Sequence, residues 1–469
     1  MSNHFPIFQA LPPETYIVGG AVRDMLLGRS PADWDLASSG DLDLLARQLA
    51  RKLNAHRIPL GRPGHSLVRL IAPRITLDLT PLEGANLNED LRRRDFTINA
   101  MAWDPAQNQL RDPFKGLTDL EAAVVRRVTP QGFRKDPLRL LRAYRLAGQL
   151  QFSIAPTTRD QIRNEAFRIS ESAGERQQEE IFKLLVLPVS RPWVAAMAED
   201  GLLSQVFPEL AATRGCNQGK HHAWNVWDHT LAAFKHLEAL LGESPWIETT
   251  KDARELPSQD WKPDPPLLKL ALLLHDVGKP GNRAAGGNGE IHFYGHAGRG
   301  AQMARDICCR LRLSKARTGF IRHLISRHLD PLHLCQARQQ GTLSPRGITR
   351  FFTRNHPWVR ELLMHALADQ QGKTATQPMD PPDFAEFAMG LRRRYENDFL
   401  VKRAHTPLLS GRDLIGALNL TPGPQFKWIL SRVEEARLSG EIQTRQEALQ
   451  LAAGLISKPT DESDPRSLP

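Results

Sequence analysis

The chain has 469 residues, 41% of them apolar, and sets 62 Lys and Arg against 52 Asp and Glu, for a net charge of +10. That length exceeds a single core of ~100–200 residues, so three or more folding units are expected. The longest apolar stretch, around Leu267–Leu274, falls short of the ~20 residues of a membrane span, which excludes a helical membrane protein; the basic excess favours a polyanion, with nucleic acid foremost.

The N-terminal "MSNHFPIFQA" lacks the basic and apolar regions of a signal peptide, and a cytoplasmic protein is expected. "TYIVGG" (15–20) reads as a strand ending in Gly19-Gly20, followed by the helix-like "AVRDMLLG". Glycines let a backbone turn sharply and approach a ligand, and a helix N-terminus offers free N–H groups to phosphate, which Arg23 on the first turn would also reach. "DWDLAS" (33–38) reads as the next strand. Alternation puts Asp33 and Asp35 on one face and Trp34 on the other, so paired carboxylates face away from the core. Such a pair suits Mg²⁺, which takes a few carboxylates plus substrate phosphate oxygens. Asp41-Leu42-Asp43 has the same spacing and reads as a helix start, so the spacing alone is not diagnostic.

"HSLVRLIAPRITLDLTPL" (65–82) predicts two strands joined by a turn at Pro73. Asp78 lies on the second of them, either as a third carboxylate or as a surface Asp. A short segment, "EGANLNED", then leads into "LRRRDFTINAMA". From Pro137 onward nearly every segment has helical periodicity. "KDPLRLLRAYR" (135–145) opens with Asp136-Pro137, which predicts a helix with Asp136 as N-cap and Pro at its first position. Asp136 only accepts hydrogen bonds and Arg139, three residues on, only donates. Together they suit the pairing edge of cytosine or adenine and disfavour guanine and uracil. Arg142 and Arg145 continue at three-residue steps. "SAGERQQEE" (172–180) puts Ser172 and Glu175 in capping-box spacing, with Arg176 read either as a brace or as plain helix.

"GGAVRD", "DWDLAS", "EDLRRRDFTINAMA", "DPLRLLRAYR" and "GERQQEEIFKLL", in this order, resemble the bacterial tRNA nucleotidyltransferase (CCA-adding) and poly(A) polymerase family over roughly residues 15–210. The resemblance implies an α+β protein: a nucleotidyltransferase head with a mainly antiparallel sheet, then an all-α neck, body and tail. It implies attack by an RNA 3′-hydroxyl on the α-phosphorus of CTP or ATP, without a nucleic-acid template and with release of pyrophosphate. Asp33 and Asp35 match the catalytic Mg²⁺-binding pair. Gly20, Arg23 and Arg94 match the triphosphate contacts, and Asp136, Arg139, Arg142 and Arg145 the nucleotide-binding residues. Lys135 stands where the family usually has Glu. The shortness of "EGANLNED" resembles members that add only two cytidines, so addition of all or part of CCA to tRNA stays open. A CC-adding enzyme would need a companion that adds the adenosine. The alternatives are a poly(A) polymerase, against which the non-basic tail "SKPTDESDPRSLP" argues, and a phosphohydrolase whose head only holds RNA.

Further on, His229 in "NVWDHTLAAF", His275-Asp276 in "LALLLHDVGKPG" and Asp369 in "HALADQQGK" form an H…HD…D series, with His296 and His328 between them. Each sits on an apolar helix face or beside a glycine turn, where an unpaired polar group is costly. His328 continues the Ile321, Leu324, Ile325 face and is preferred as a ligand, whereas His323 reads as solvated. The series resembles the HD phosphohydrolases, whose His and Asp residues hold divalent metal for phosphoester hydrolysis. Imidazoles suit Mn²⁺, Ni²⁺, Fe²⁺ or Co²⁺ better than Mg²⁺. Four cysteines show no C-x-x-C spacing, so no disulfide framework or thiolate zinc site is expected, and Cys308-Cys309 reads as a buried reduced pair. The expected division is head 1–130, neck 131–210, HD body 211–400, tail 401–455 and a disordered end 456–469, with an exposed insertion at 242–266.

Overall fold

The computed structural model describes residues 11–31, 33–60, 67–73, 75–219, 224–242, 261–286, 290–373 and 381–456. They form two compact units, Met1–Pro208 and Glu209–Pro469. Most of the 242–266 insertion and all but the first residue of the 456–469 end lie outside the described residues.

Unit 1 opens with a seven-stranded sheet of β1 (Thr15–Val18), β2 (Asp33–Ser38), β3 (His56–Pro59), β4 (Val68–Ala72), β5 (Ile75–Pro81), β6 (Ala102–Asp104) and β7 (Gln109–Arg111). Their spatial order is β3-β4-β5-β2-β1-β6-β7. Every pair is antiparallel except β2 with β5, so the expected mainly antiparallel head is what forms. β4 and β5 make the hairpin predicted around Pro73. Apolar residues of the central strands, among them Ile17, Trp34, Leu36, Leu77 and Leu79, are buried. The helix Leu42–Leu53 covers part of the sheet with Leu45, Ala46 and Leu49, and Asp41 caps it by accepting from the N–H groups of Asp43 and Leu44.

The rest of unit 1 is helical. Helix Arg139–Leu150 buries Leu140, Leu141, Tyr144 and Leu146 and packs on helix Gly174–Leu185. Two local expectations are corrected. Asp136 is not an N-cap: it is extended, after the short helix Gly132–Lys135, and the next helix starts only at Arg139. The predicted Ser172–Glu175 capping box does not form either; Ala173 is the N-cap and the Ser172 hydroxyl is buried without a partner among the described residues.

Asp200 ties this helical layer together. It accepts from the Tyr144 hydroxyl at 2.6 Å, Arg159 Nε at 2.5 Å and Arg163 Nε at 2.7 Å. Burial opposes its ionisation, but Arg159, Tyr144 and Arg163 together hold the carboxyl below the usual carboxylate range. Removing it leaves the buried Tyr144 phenol without its acceptor, while Arg159 and Arg163 keep Glu199 and Asp160, so Asp200→Ala is expected to cost about 2 kcal/mol in urea unfolding at pH 7. For a depressed carboxyl the stabilisation is present above the unfolded-state pKa and lost as pH falls. The gap between wild type and variant should therefore narrow under acid conditions.

Unit 2 is almost wholly helical; among the described residues its only strands are the two-residue pair Ala284–Ala285 and Ile291–His292. Its axis is helix Pro265–Leu274, in which every residue from Pro266 to Leu274 is buried. Helices Val226–Gly242, Lys315–Arg327 and Val359–Gln371 surround it. A helix apolar on all sides belongs in a core, and its capping Asp264 followed by two prolines fixes where it starts. Residues from Leu409 to Ala452 build a smaller core of their own around Leu414, Ile429 and Val433. Among the described residues no helix is long and apolar enough to cross a membrane.

Candidate active site and metal centre

In unit 1, β2 sets out the carboxylates as alternation demands: Asp33 is exposed, Trp34 buried and Asp35 half-buried. The parallel pairing of β2 with β5 puts Asp78 directly beside Asp35, on the same face. In this structure both Asp78 oxygens accept from Arg69, Nε and Nη2 each at 2.7 Å. Burial raises the Asp35 pKa, with Asp78 and Asp33 pushing the same way against Arg94 and Arg69. Three acidic groups thus share one strand pair, with Arg69 set against Asp78 and Arg94 acting on Asp35.

Gly19 explains how the turn before the first helix serves this site. Its φ is +76°, and a Cβ there would lie 2.7 Å from Arg94 Nη1 and 3.1 Å from Asp35 Oδ2. Only glycine keeps this pocket between carboxylate and guanidinium open. Sequence reasoning singled out Gly20, the first residue of the helix Gly20–Leu26; the close approach to the carboxylate belongs to Gly19. Arg94 fits a phosphate contact: it pairs with Asp90 at 3.2 Å, and its buried Nε has no hydrogen-bond partner among the described residues. Arg23 is turned inward. It donates to Asn99 at 2.7 Å and to Asp24 at 2.9 Å and is 6% exposed, and its guanidinium lies beside the turn at Gly20.

Of the candidates in and before the neck helix, Asp136 keeps a free acceptor. Its Oδ1 is buried and has no hydrogen-bond partner among the described residues, while Oδ2 accepts from Arg176 at 3.3 Å. That contact is the one a brace would make. Arg139 donates to the backbone carbonyls of Arg93 and Arg94, which fastens the neck helix to the segment carrying Arg94. Arg142 and Arg145 are engaged as ion pairs. Arg142 donates to Asp95 at 2.9 and 2.7 Å, and Arg145 donates to the buried Glu180 at 2.5 Å. Their three-residue spacing puts both on a helix edge that faces the acids Asp95 and Glu180.

In unit 2 all six ligand candidates converge at helix ends. His229 belongs to helix Val226–Gly242, His275 and Asp276 follow helix Pro265–Leu274, His296 begins helix His296–Arg310, His328 ends helix Lys315–Arg327, and Asp369 lies on helix Val359–Gln371. None is more than 8% exposed. His229, His275 and Asp276 form one group whose ligand atoms lie within 4.8 Å of each other; Asp276, His296 and His328 form a second. Asp276 is common to both. His275, His296 and His328 each anchor Nδ1 on a backbone carbonyl at 2.7 Å, which presents Nε2 to the cluster. Nε2 of His275 stands 3.1 Å from Asp276 and 3.4 Å from Asp369, and Nε2 of His296 3.5 Å from Asp276, close to the carboxylates but without hydrogen-bond geometry, as ligands sharing a cation would be.

The charges agree. Burial pushes the His275 imidazole down, yet Asp276 and Asp369 override it and lift its pKa to about 10. Two buried carboxylates thus require positive charge nearby, part of which Lys279 supplies to Asp276 at 2.6 Å. Gly278 permits the tight turn after the His-Asp pair, since a Cβ there would stand 2.3 Å from the His296 carbonyl oxygen. His323, expected in solvent, is half-buried instead: its Nε2 meets Asn355 at 2.9 Å and its ring packs on Trp358. Sequence reasoning missed His365, buried beside this cluster; the available signal was its i, i+4 spacing from Asp369.

Both units match known protein families. The "Poly A polymerase head domain" family matches residues 15–84 and 80–126, the "Probable RNA and SrmB- binding site of polymerase A" matches 151–213, and the "HD domain" matches 226–345. An A-adding tRNA nucleotidyltransferase of Deinococcus radiodurans is 33% identical over 96% of this chain and 97% of its own length. A CC-adding tRNA nucleotidyltransferase of Thermus thermophilus is 34% identical over 95% of this chain and 94% of its own. A solved Thermotoga maritima CCA-adding enzyme complexed with tRNA shares the fold, with a TM-score of 0.62 at 21% identity over 96% of this chain and 95% of that one.

Proposed function

Since this chain belongs to the tRNA nucleotidyltransferase family and is a nucleotidyltransferase, we propose that it adds the two cytidines of the tRNA 3′-CCA end from CTP without a nucleic-acid template. The observation that carries the narrower choice is the segment after β5. It is short and locked: the Glu83 N–H donates to Asp90, the Ala85 N–H to Glu89, and Asn86 caps the helix Leu87–Arg92. It resembles the shortened form of CC-adding members, with a companion enzyme left to add the adenosine. The same reading divides the chain into head, neck, HD body and tail.

Asp33 and Asp35 would hold Mg²⁺, with Asp78 beside them as the further carboxylate toward the attacking hydroxyl. Bound there, Mg²⁺ supplies neutralising charge at the phosphates and lowers the cost of ionising the hydroxyl. Arg94 receives triphosphate in the space that Gly19 leaves open. The RNA 3′-hydroxyl gives up its proton to solvent, its oxygen bonds to the α-phosphorus, and the bond to pyrophosphate breaks. Asp136 Oδ1 accepts from the cytosine amino group, and Arg139 keeps the base edge and Arg94 in one frame. Asp136→Ala is accordingly expected to relax the preference for CTP over UTP about 10–100-fold, the worth of a charged hydrogen bond of ~1.5–3 kcal/mol. Unchanged selectivity in single-nucleotide addition would move base choice away from this residue.

For unit 2 we propose a divalent transition-metal site formed by His229, His275, Asp276, His296, His328 and Asp369, serving phosphoester hydrolysis. The imidazole-rich donor set, with Asp276 shared by two groups of ligands, is the reason.

A further inference from the structure

One turn before Asp369, helix Val359–Gln371 carries His365 on the same face. It is fully buried, and among the described residues neither ring nitrogen has a hydrogen-bond partner. Its ring centroid lies 5.5 Å from that of His275 and 6.1 Å from that of His328. No other histidine around the cluster is left in this state. His275, His296 and His328 each anchor Nδ1 on a carbonyl, and His229 meets Asp369 at 2.7 Å. A residue serving only to fill this space would do better as leucine or methionine, because an unmet buried polar group is costly.

The missing anchor also separates His365 from the ligands. A metal-bound imidazole almost always donates its second N–H to a carbonyl, a carboxylate or water, and His365 has no such partner among the described residues. We propose that His365 is a positioning residue of the metal centre: its N–H hydrogen-bonds an oxygen held by bound metal beside His275 and His328, which is water when the metal is alone. The proposal rests on reading the cluster as a metal site. It predicts that the imidazole is a burden in the metal-free protein and an asset in the loaded one, a difference that plain packing does not produce.

The test uses the full chain, freed of metal and titrated with Mn²⁺ or Co²⁺, comparing wild type with His365→Phe and His365→Gln. His365→Phe should raise the melting temperature of the metal-free protein and weaken metal binding about 10–100-fold, as loss of an outer partner typically does. His365→Gln, which keeps a donor, should hold affinity to within a few-fold of wild type. If the phenylalanine variant does not fold, His365→Leu carries the same comparison. Equal metal affinity in wild type and the apolar variant, with both forms shifted equally in melting temperature, would overturn the role of His365 alone. A wild-type protein that binds neither metal would overturn the metal-site reading along with it.

Discussion

Replacement of Asp35 by Asn should lower nucleotide addition by about 10³-fold or more while leaving the protein folded and at least as stable. The loss follows from removing one of the two strand carboxylates proposed to hold Mg²⁺, an interaction worth several kcal/mol to the developing charge of phosphoryl transfer. The unimpaired fold follows from the metal-free site. Asp35 is half-buried, directly beside Asp78 on β5 and two residues from Asp33, and its pKa is raised by burial and by those neighbours. A neutral amide of the same shape relieves that repulsion. Single-turnover addition together with a thermal melt separates the two effects. Retained activity with an intact fold would remove Asp35 from the catalytic pair.

The second large effect concerns unit 2. Replacing His275 and Asp276 together by Ala should abolish stoichiometric binding of transition metal, with affinity falling by more than about 10²-fold, while nucleotide addition by the head continues. Asp276 is the one residue common to both ligand groups, so its loss dismantles both at once. The nucleotide-binding candidates all lie within Met1–Pro208 and the metal cluster within Glu209–Pro469. Metal analysis of purified variant against wild type, alongside an addition assay, reads both outcomes. Unchanged metal content would sink the assignment of these six residues, and a parallel loss of nucleotide addition would contradict two independent sites.

Much of this site was legible because it depends on local periodicity. Alternation along β2 separated Asp33 and Asp35 from Trp34, and the helical face of Ile321, Leu324 and Ile325 pointed to His328. Asp41 as a helix cap was visible from the same kind of local rule. What could not be read depends on partners distant along the chain. Arg142 looks like a free cation until the fold brings Asp95, 47 residues away, against it; Arg145 meets Glu180 across 35 residues. Arg23 is claimed by Asn99 in the same manner. Asp136 misled in the opposite direction. Its Asp-Pro signature suggests a cap, yet the helix starts later and leaves a buried acceptor that a cap would have consumed. His365 was overlooked because a histidine in an apolar helix is ordinary, and only the fold shows that nothing satisfies it.

The central claim is most directly tested by incubating the protein with Mg²⁺ and a tRNA lacking its 3′ end, supplying CTP and ATP singly and together, and resolving products by length. The protein should make two additions with CTP and no third when ATP is also present. Failure to lengthen the tRNA with either nucleotide, or a long adenosine ladder, would contradict that claim.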